Sequence, residues 1–363
     1  MQLHTFFPFL HWAKDYNHQT LIDDSIAAVV ISLIMIPQSL AYALLAGLPP
    51  QLGLYASILP LLIYAVVGGS ASLSVGPFAI SSIMTATALH ALFPASSPEQ
   101  LIPAAIVLAF SSGIFLIMFG CLRLGFLNNF LSFPVITGFI SASAVVIAIS
   151  QVDKLLGINT QGKNVFSIMQ SIPLQMHNIH TATLLIGCGV FSFLYSYPKI
   201  FAYVANKLAL NHLLATSLAK IAPIIAIMGS IFLVVLFDLE QQGVAIIGHI
   251  PPGLPTLSLP DIQQLQWSAE TWKSLFSSAL LISIIGFVSS VSVAQSFAAK
   301  RRQRIHPNQE AIALGLSNLG SGLSGAFPIS ASMSRSAVSV NAGAKRPAAG
   351  AGNAMGLSIS TVL

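Results

Sequence analysis

"SLSVGPFAISSIM", residues 72–84, decides how this chain is read, and "FPISASMSRSAVSV", residues 327–340, repeats its message. Both lie in strongly apolar surroundings and combine a Pro, in one case a Gly-Pro pair, with a cluster of serines. Proline removes a backbone donor and clashes with the preceding helical turn, and glycine weakens a helix interior. In lipid, non-helical backbone is tolerated only where it is buried in protein or lines a cavity. Each stretch therefore reads as extended chain leading into a short helix that starts inside the membrane. A kinked spanning helix with packing serines explains either stretch alone, but not the matching pair.

The surroundings are a membrane protein by composition. Of 363 residues, 55% are hydrophobic and only 7% are charged, against roughly 25% charged in soluble domains. Candidate spans fall near 25–45, 52–68, 76–92, 101–121, 133–151, 180–198, 219–237, 274–298, 309–327 and 333–344, with an eleventh from about 347. The Pro-rich connection 238–272 separates a first repeat (1–237, about seven spans) from the start of a second (273–363). An odd number of spans per repeat inverts the second half. The two serine-proline stretches then stand third in each half, the arrangement that marks a transporter's binding site. The expected fold is an all-α polytopic membrane protein built from inverted repeats.

A helix that starts inside the membrane presents unpaired N–H groups and the positive end of its dipole. Two such ends facing each other form an anion site. Pro77 fits a first helical turn, where its missing N–H costs nothing. Arg335 adds a full positive charge within the apolar region, where an ionisable group signals function. On the first span, Gln38 and Tyr42 are four residues apart and share a face, either toward a ligand or toward a neighbouring helix.

Other classes find little support. The net charge of +5 is spread with a positive-inside bias, "KRRQR" (300–304) serving as a cytoplasmic anchor, which argues against nucleic acid and places the N-terminus in the cytoplasm. Cys121 and Cys188 read as small packing residues, the nine histidines show no ligand spacing, and no metal or organic cofactor is expected. "GSGLSG" (320–325) matches a dinucleotide fingerprint without its strand–helix context and is better read as small residues that let helices approach. No nucleophile–base pair suggests an enzyme. Every acid reads as lying at or outside a span end.

Two longer stretches carry a family likeness. "DDSIAAVVISLIMIPQSLAYALLAGLPPQLGLYASILPLLIYAVVGGSASLSVGPFAI" and "NQEAIALGLSNLGSGLSGAFPISASMSRSAVSVNAGAKRPAAG" resemble the SulP anion transporter family, which includes sulfate permeases. The resemblance covers essentially the whole chain. It implies fourteen membrane segments in two inverted repeats of seven, with a core domain moving against a gate domain. It implies a substrate pocket formed by Gln38, Tyr42, Phe78, the amide of Ala79, Ser334 and Arg335. Where the family reads "GFVESVSVAQ" this chain reads "GFVSSVSVAQ", so Ser289 stands at the position associated with proton coupling. The family pattern also continues through further helices into a cytoplasmic STAS domain, so this sequence reads as a truncated frame.

The expected function is transport of an inorganic anion, sulfate first, across the inner membrane, by a possible homodimer. Bicarbonate, chloride or sodium-linked carriage are alternatives within transport. An anion-binding membrane protein that moves nothing, and a nucleobase carrier of the same architecture, are alternatives outside it.

Overall fold

The computed structural model describes residues 16–94, 96–126, 133–158, 165–207, 222–246, 253–257, 267–301 and 304–362, with positions 8, 9 and 13. They form α1 (His18–Leu45), α2 (Gln51–Val67), β1 (Val75–Gly76), α3 (Ala79–Leu92), α4 (Ile102–Cys121), α5 (Phe133–Leu156), α6 (Val165–Leu174), α7 (Thr181–Lys207) and α8 (Ala222–Leu236). The second half supplies α9 (Ala269–Lys300), α10 (Pro307–Leu323), β2 (Ser330–Ala331), α11 (Met333–Asn341) and α12 (Ala348–Val362). Among the described residues, the segments His18–Leu45, Glu99–Cys121, Thr181–Phe201 and Ala269–Ala299 are long and apolar enough to cross a bilayer.

The chain divides into two compact units, residues 1–137 with 250–363, and residues 138–249. The first holds both serine-proline stretches and repeats one order twice: long helix, helix, two-residue strand, short helix, helix. Its packing follows the same pairing. α4 lies against α9 and α10, as α12 lies against α1 and α2. α3 packs on α9 as α11 packs on α1, and α2 and α10, each second in its half, pack on each other. The repeat faint in the sequence is plain in these contacts.

Glycine brings α4 and α10 together. A Cβ on Gly315 would stand 2.7 Å from the Gly113 carbonyl oxygen, and one on Gly113 would stand 2.8 Å from that of Gly315. Within "GSGLSG", a Cβ on Gly322 would meet the Phe110 ring at 2.8 Å and one on Gly320 would strike Ile63, so the motif works by close helix approach. Around this seam Phe287, Phe327, Leu108, Leu275 and Leu314 are fully buried.

One end of α1 is tied to the connection between α11 and α12. Asp24, 2% exposed, accepts the Tyr16 hydroxyl at 3.0 Å and the backbone N–H groups of Lys345 at 2.7 Å and Arg346 at 3.3 Å. Asp23 pairs with Lys345 at 2.6 Å, and Arg301 donates to the Ala344 carbonyl at 2.7 Å. Burial and the neighbouring Asp24 push the Tyr16 phenol up to about 12, so it remains a donor at ordinary pH. Removing the Asp24 carboxylate orphans several donors, each costing about 1–3 kcal/mol when buried. Asp24→Ala is therefore expected to unfold at clearly lower temperature than wild type, and Asp24→Asn, which keeps one acceptor oxygen, to fall between them; circular dichroism during heating checks the order.

In the second unit α7 and α8 pack together, and His180 Nε2 lies 2.8 Å from the Gln242 carbonyl oxygen, joining the turns before α7 and after α8. Three sequence expectations need correction. Residues 165–174 form a helix where a connection is expected. Cys121 and Cys188 are exposed rather than packed inside their units. Glu310 and Asp24 lie near helix ends as expected, yet both are buried.

Candidate anion-binding site

The two serine-proline stretches meet. Val75 pairs with Ala331 and Gly76 with Ser330 in an antiparallel two-strand ladder. Buried extended backbone must find partners, and the serines provide them. Ser74 N–H donates to Ser336 Oγ at 2.9 Å, and Ser332 N–H donates to the Ser74 carbonyl at 3.1 Å. Ala331 N–H donates to Ser290 Oγ at 3.1 Å, and the Ser330 and Ser290 hydroxyls pair at 2.9 Å. Asn318 makes a two-way bond with Ile329, accepting its N–H at 2.9 Å and donating to its carbonyl at 3.1 Å. The serines thus satisfy non-helical backbone where water cannot.

Each strand runs into a short helix. α3 begins at Ala79 with Phe78 as N-cap, and no side chain caps its first turn. Pro77 therefore precedes the helix instead of occupying its first turn, because Phe78 keeps extended dihedrals and carries the chain out of the ladder. Its carbonyl has a use there: it accepts Arg335 Nη1 at 2.5 Å. α11 differs at its start, since Ser332 caps the Arg335 N–H at 3.4 Å. One half-helix thus offers open N–H groups, and the other offers a guanidinium.

Arg335 is 2% exposed, and its Nε and Nη2 have no protein acceptor. A buried charge without partners is costly. Gly76 lies in contact range of Nη2 and lets α1 approach this strand, because a Cβ there would stand 2.5 Å from Met35 Cε. α1 packs on both half-helices and brings Gln38, whose Nε2 donates to the Tyr42 hydroxyl at 2.9 Å. Gln38 Oε1 is buried without a donor. Tyr42 is close enough to Arg335 to act on it electrostatically.

The structure therefore gathers Gln38, Tyr42, Phe78, Ala79 and Arg335. Ser334 stands apart: it is exposed, and its hydroxyl lies 3.1 Å from that of Ser332. Ser289 is buried on α9 beside Ser290, the residue that ties this helix to β2. Sequence reasoning missed Gly76 and the Pro77 carbonyl, although the Gly-Pro pair was their signal, and it missed Ser290, Ser332 and Ser336 as backbone partners.

Residues 21–362 match the sulfate permease family. The chain belongs to that family. Family relatives include a probable sulfate transporter of Mycobacterium tuberculosis, 34% identical over 330 residues, covering 90% of this chain and 54% of the relative. Sulfate transporter 3.1 of Arabidopsis thaliana is 33% identical over 343 residues, covering 94% and 50%. The chain spans about half the length of these curated relatives. Among solved structures it resembles SLC26A9, with TM-score 0.84, 25% identity and coverage of 99% of this chain and 57% of that one. It also resembles the transmembrane domain of the cyanobacterial bicarbonate transporter BicA, with TM-score 0.77, 22% identity and coverage of 96% and 84%. This sulfate permease family member is a multi-pass membrane protein with the inverted-repeat fold of those structures.

Proposed function

We propose that this chain carries the substrate site of a secondary transporter for small inorganic anions, with sulfate the first candidate. The observation that carries the reading is the buried Arg335 guanidinium, with two unpartnered nitrogens, beside the uncapped first turn of α3. Charged donors and a helix N-terminus together favour an anion. Gln38 and Tyr42 shape the same region, Phe78 closes it with an apolar edge, and the Ala79 N–H faces the ligand. Ser334 enters the proposal through the family likeness alone, since the structure leaves it exposed with its hydroxyl beside that of Ser332. The relatives named as sulfate transporters favour sulfate. The likeness to a bicarbonate transporter favours bicarbonate as the second reading, since the donor set answers to charge more than to shape.

An elevator-type cycle belongs to this proposal. Gln38, Tyr42, Phe78, Ala79, Ser289, Ser334 and Arg335 all lie in one compact unit, as a carrier that moves its site as a single body requires. The boundaries 1–237 and 273–363 for the two repeats, the inner membrane, a cytoplasmic N-terminus and a homodimer complete the proposal. Labelled-sulfate uptake into liposomes, with and without an inward proton gradient, tests it. Uptake that excess unlabelled sulfate suppresses is expected. Suppression by bicarbonate alone moves the assignment to bicarbonate, and absence of any anion uptake by folded protein contradicts transport. With Ser289 in place of a carboxylate on α9, any response to the proton gradient must come from another group.

A further inference from the structure

Glu310 is the charged side chain buried most completely among the described residues, at 1% exposure, and the anion site does not use it. It lies one turn into α10. Its Oε2 accepts the Tyr64 hydroxyl of α2 at 2.7 Å, and its Oε1 has no hydrogen-bond partner. The backbone N–H groups of Gly69 and Ser70 are turned to the carboxylate, at distances too long or angles too wide for a well-formed bond to Oε1, and a Cβ on Gly69 would stand 2.9 Å from Oε1. Gln309 turns its amide to the Val67 carbonyl at 2.8 Å. Among the described residues, no cation pairs with the carboxylate. α4 carries no charged residue over Ile102–Cys121, the charges of α9 (Glu270, Lys273, Lys300) sit at its ends, and His306 one turn earlier is exposed. A carboxylate in such a place is costly, and a proton removes that cost.

Its neighbours continue into the anion site. Residues 68–74 run from Glu310 to Ser74, which is bonded to Ser332 and Ser336. Val75 and Gly76 then pair with β2, and the Pro77 carbonyl holds Arg335. Glu310 thus sits under the strap that places both the α3 N-terminus and the arginine.

We propose that Glu310, bonded by Tyr64 beneath this strap, is a proton-binding group whose charge state sets the anion affinity of the half-helix site; the proposal rests on the anion reading above. The proton comes from water and resides on the carboxyl. The neutral form favours the anion, because it removes a negative charge from beneath the strap that leads to the site. By linkage the bound anion favours the proton equally. The chain thereby has a proton-responsive group although Ser289 cannot serve as one.

The test is equilibrium binding of labelled sulfate to the purified whole chain, at about pH 5.5 and about pH 8, a range over which sulfate keeps its charge. Wild type is expected to bind about fivefold or more weaker at the higher pH, within the usual size of such couplings. Glu310→Gln keeps an acceptor for Tyr64 and is expected to bind equally at both, near the wild-type value at low pH. Tyr64→Phe keeps the carboxyl and is expected to keep the pH dependence. Wild type without pH dependence, Glu310→Gln with the wild-type dependence, or Tyr64→Phe without it overturns the proposal and leaves the anion site standing. Wild type that binds no sulfate at either pH overturns the anion site and this proposal with it.

Discussion

Arg335→Met is expected to raise thermal stability in the absence of anion while weakening anion binding by about a hundredfold or more. The two effects share one cause. Arg335 is a buried cation bonded once, to the Pro77 carbonyl, with Nε and Nη2 unpartnered. Replacing a buried ionic group with an apolar side chain of similar volume is often neutral or stabilising by about 1–4 kcal/mol. The same change removes two charged donors, each contributing about 1.5–3 kcal/mol to an anion, so affinity falls by about a hundredfold or more. Sulfate at about 100 times the wild-type Kd should stabilise wild type by about 2.7 kcal/mol and the variant by about 0.4 kcal/mol or less. A variant stabilised by sulfate as much as wild type contradicts the role given to Arg335.

Gly76→Ala is expected to damage folding and binding together. Gly76 has φ +147°, a conformation that side-chain-bearing residues rarely adopt, and its ladder partner is Ser330. Strain of this kind costs about 1–3 kcal/mol, and the Met35 methyl stands 2.5 Å from the new Cβ. The strap must shift, taking with it Pro77, Phe78 and the first turn of α3. The expected result is a large drop in melting temperature and at least about a tenfold loss of sulfate affinity. Adding Met35→Ala should recover the steric part and leave the backbone part. The coupling measured in that double-mutant cycle is therefore favourable but incomplete.

The legible part of this molecule is what hydrophobic length and backbone chemistry dictate. Apolar runs place α2 to α4 and α9 to α12 within a few residues of their observed bounds, since a span is set by bilayer thickness, whereas α1 starts seven residues before its expected span, at His18. The Gly-Pro pair and the serines reveal the half-helices because proline and glycine act locally. What stays hidden depends on tertiary contact. Pro77 sits outside α3 because its carbonyl serves Arg335, 258 positions away in sequence. Glu310, near the start of α10, looks like a first-turn acid facing water, and only the packing of α2 on α10 buries it beside Tyr64. Ser334 and Arg335 are adjacent in sequence yet differ in exposure, because a helix turns by about 100° per residue. The cysteines fail for the reverse reason: in a membrane chain apolar neighbours do not imply burial.

The most direct measurement is to locate the anion itself. Selenate is shaped and charged like sulfate and scatters X-rays anomalously, so crystals grown with it report position without assumption. An anomalous peak is expected within hydrogen-bond reach of Arg335 Nε or Nη2 and of the N–H groups at the start of α3, and no peak there in Arg335→Met. A peak elsewhere, or none at a saturating concentration, would contradict the site.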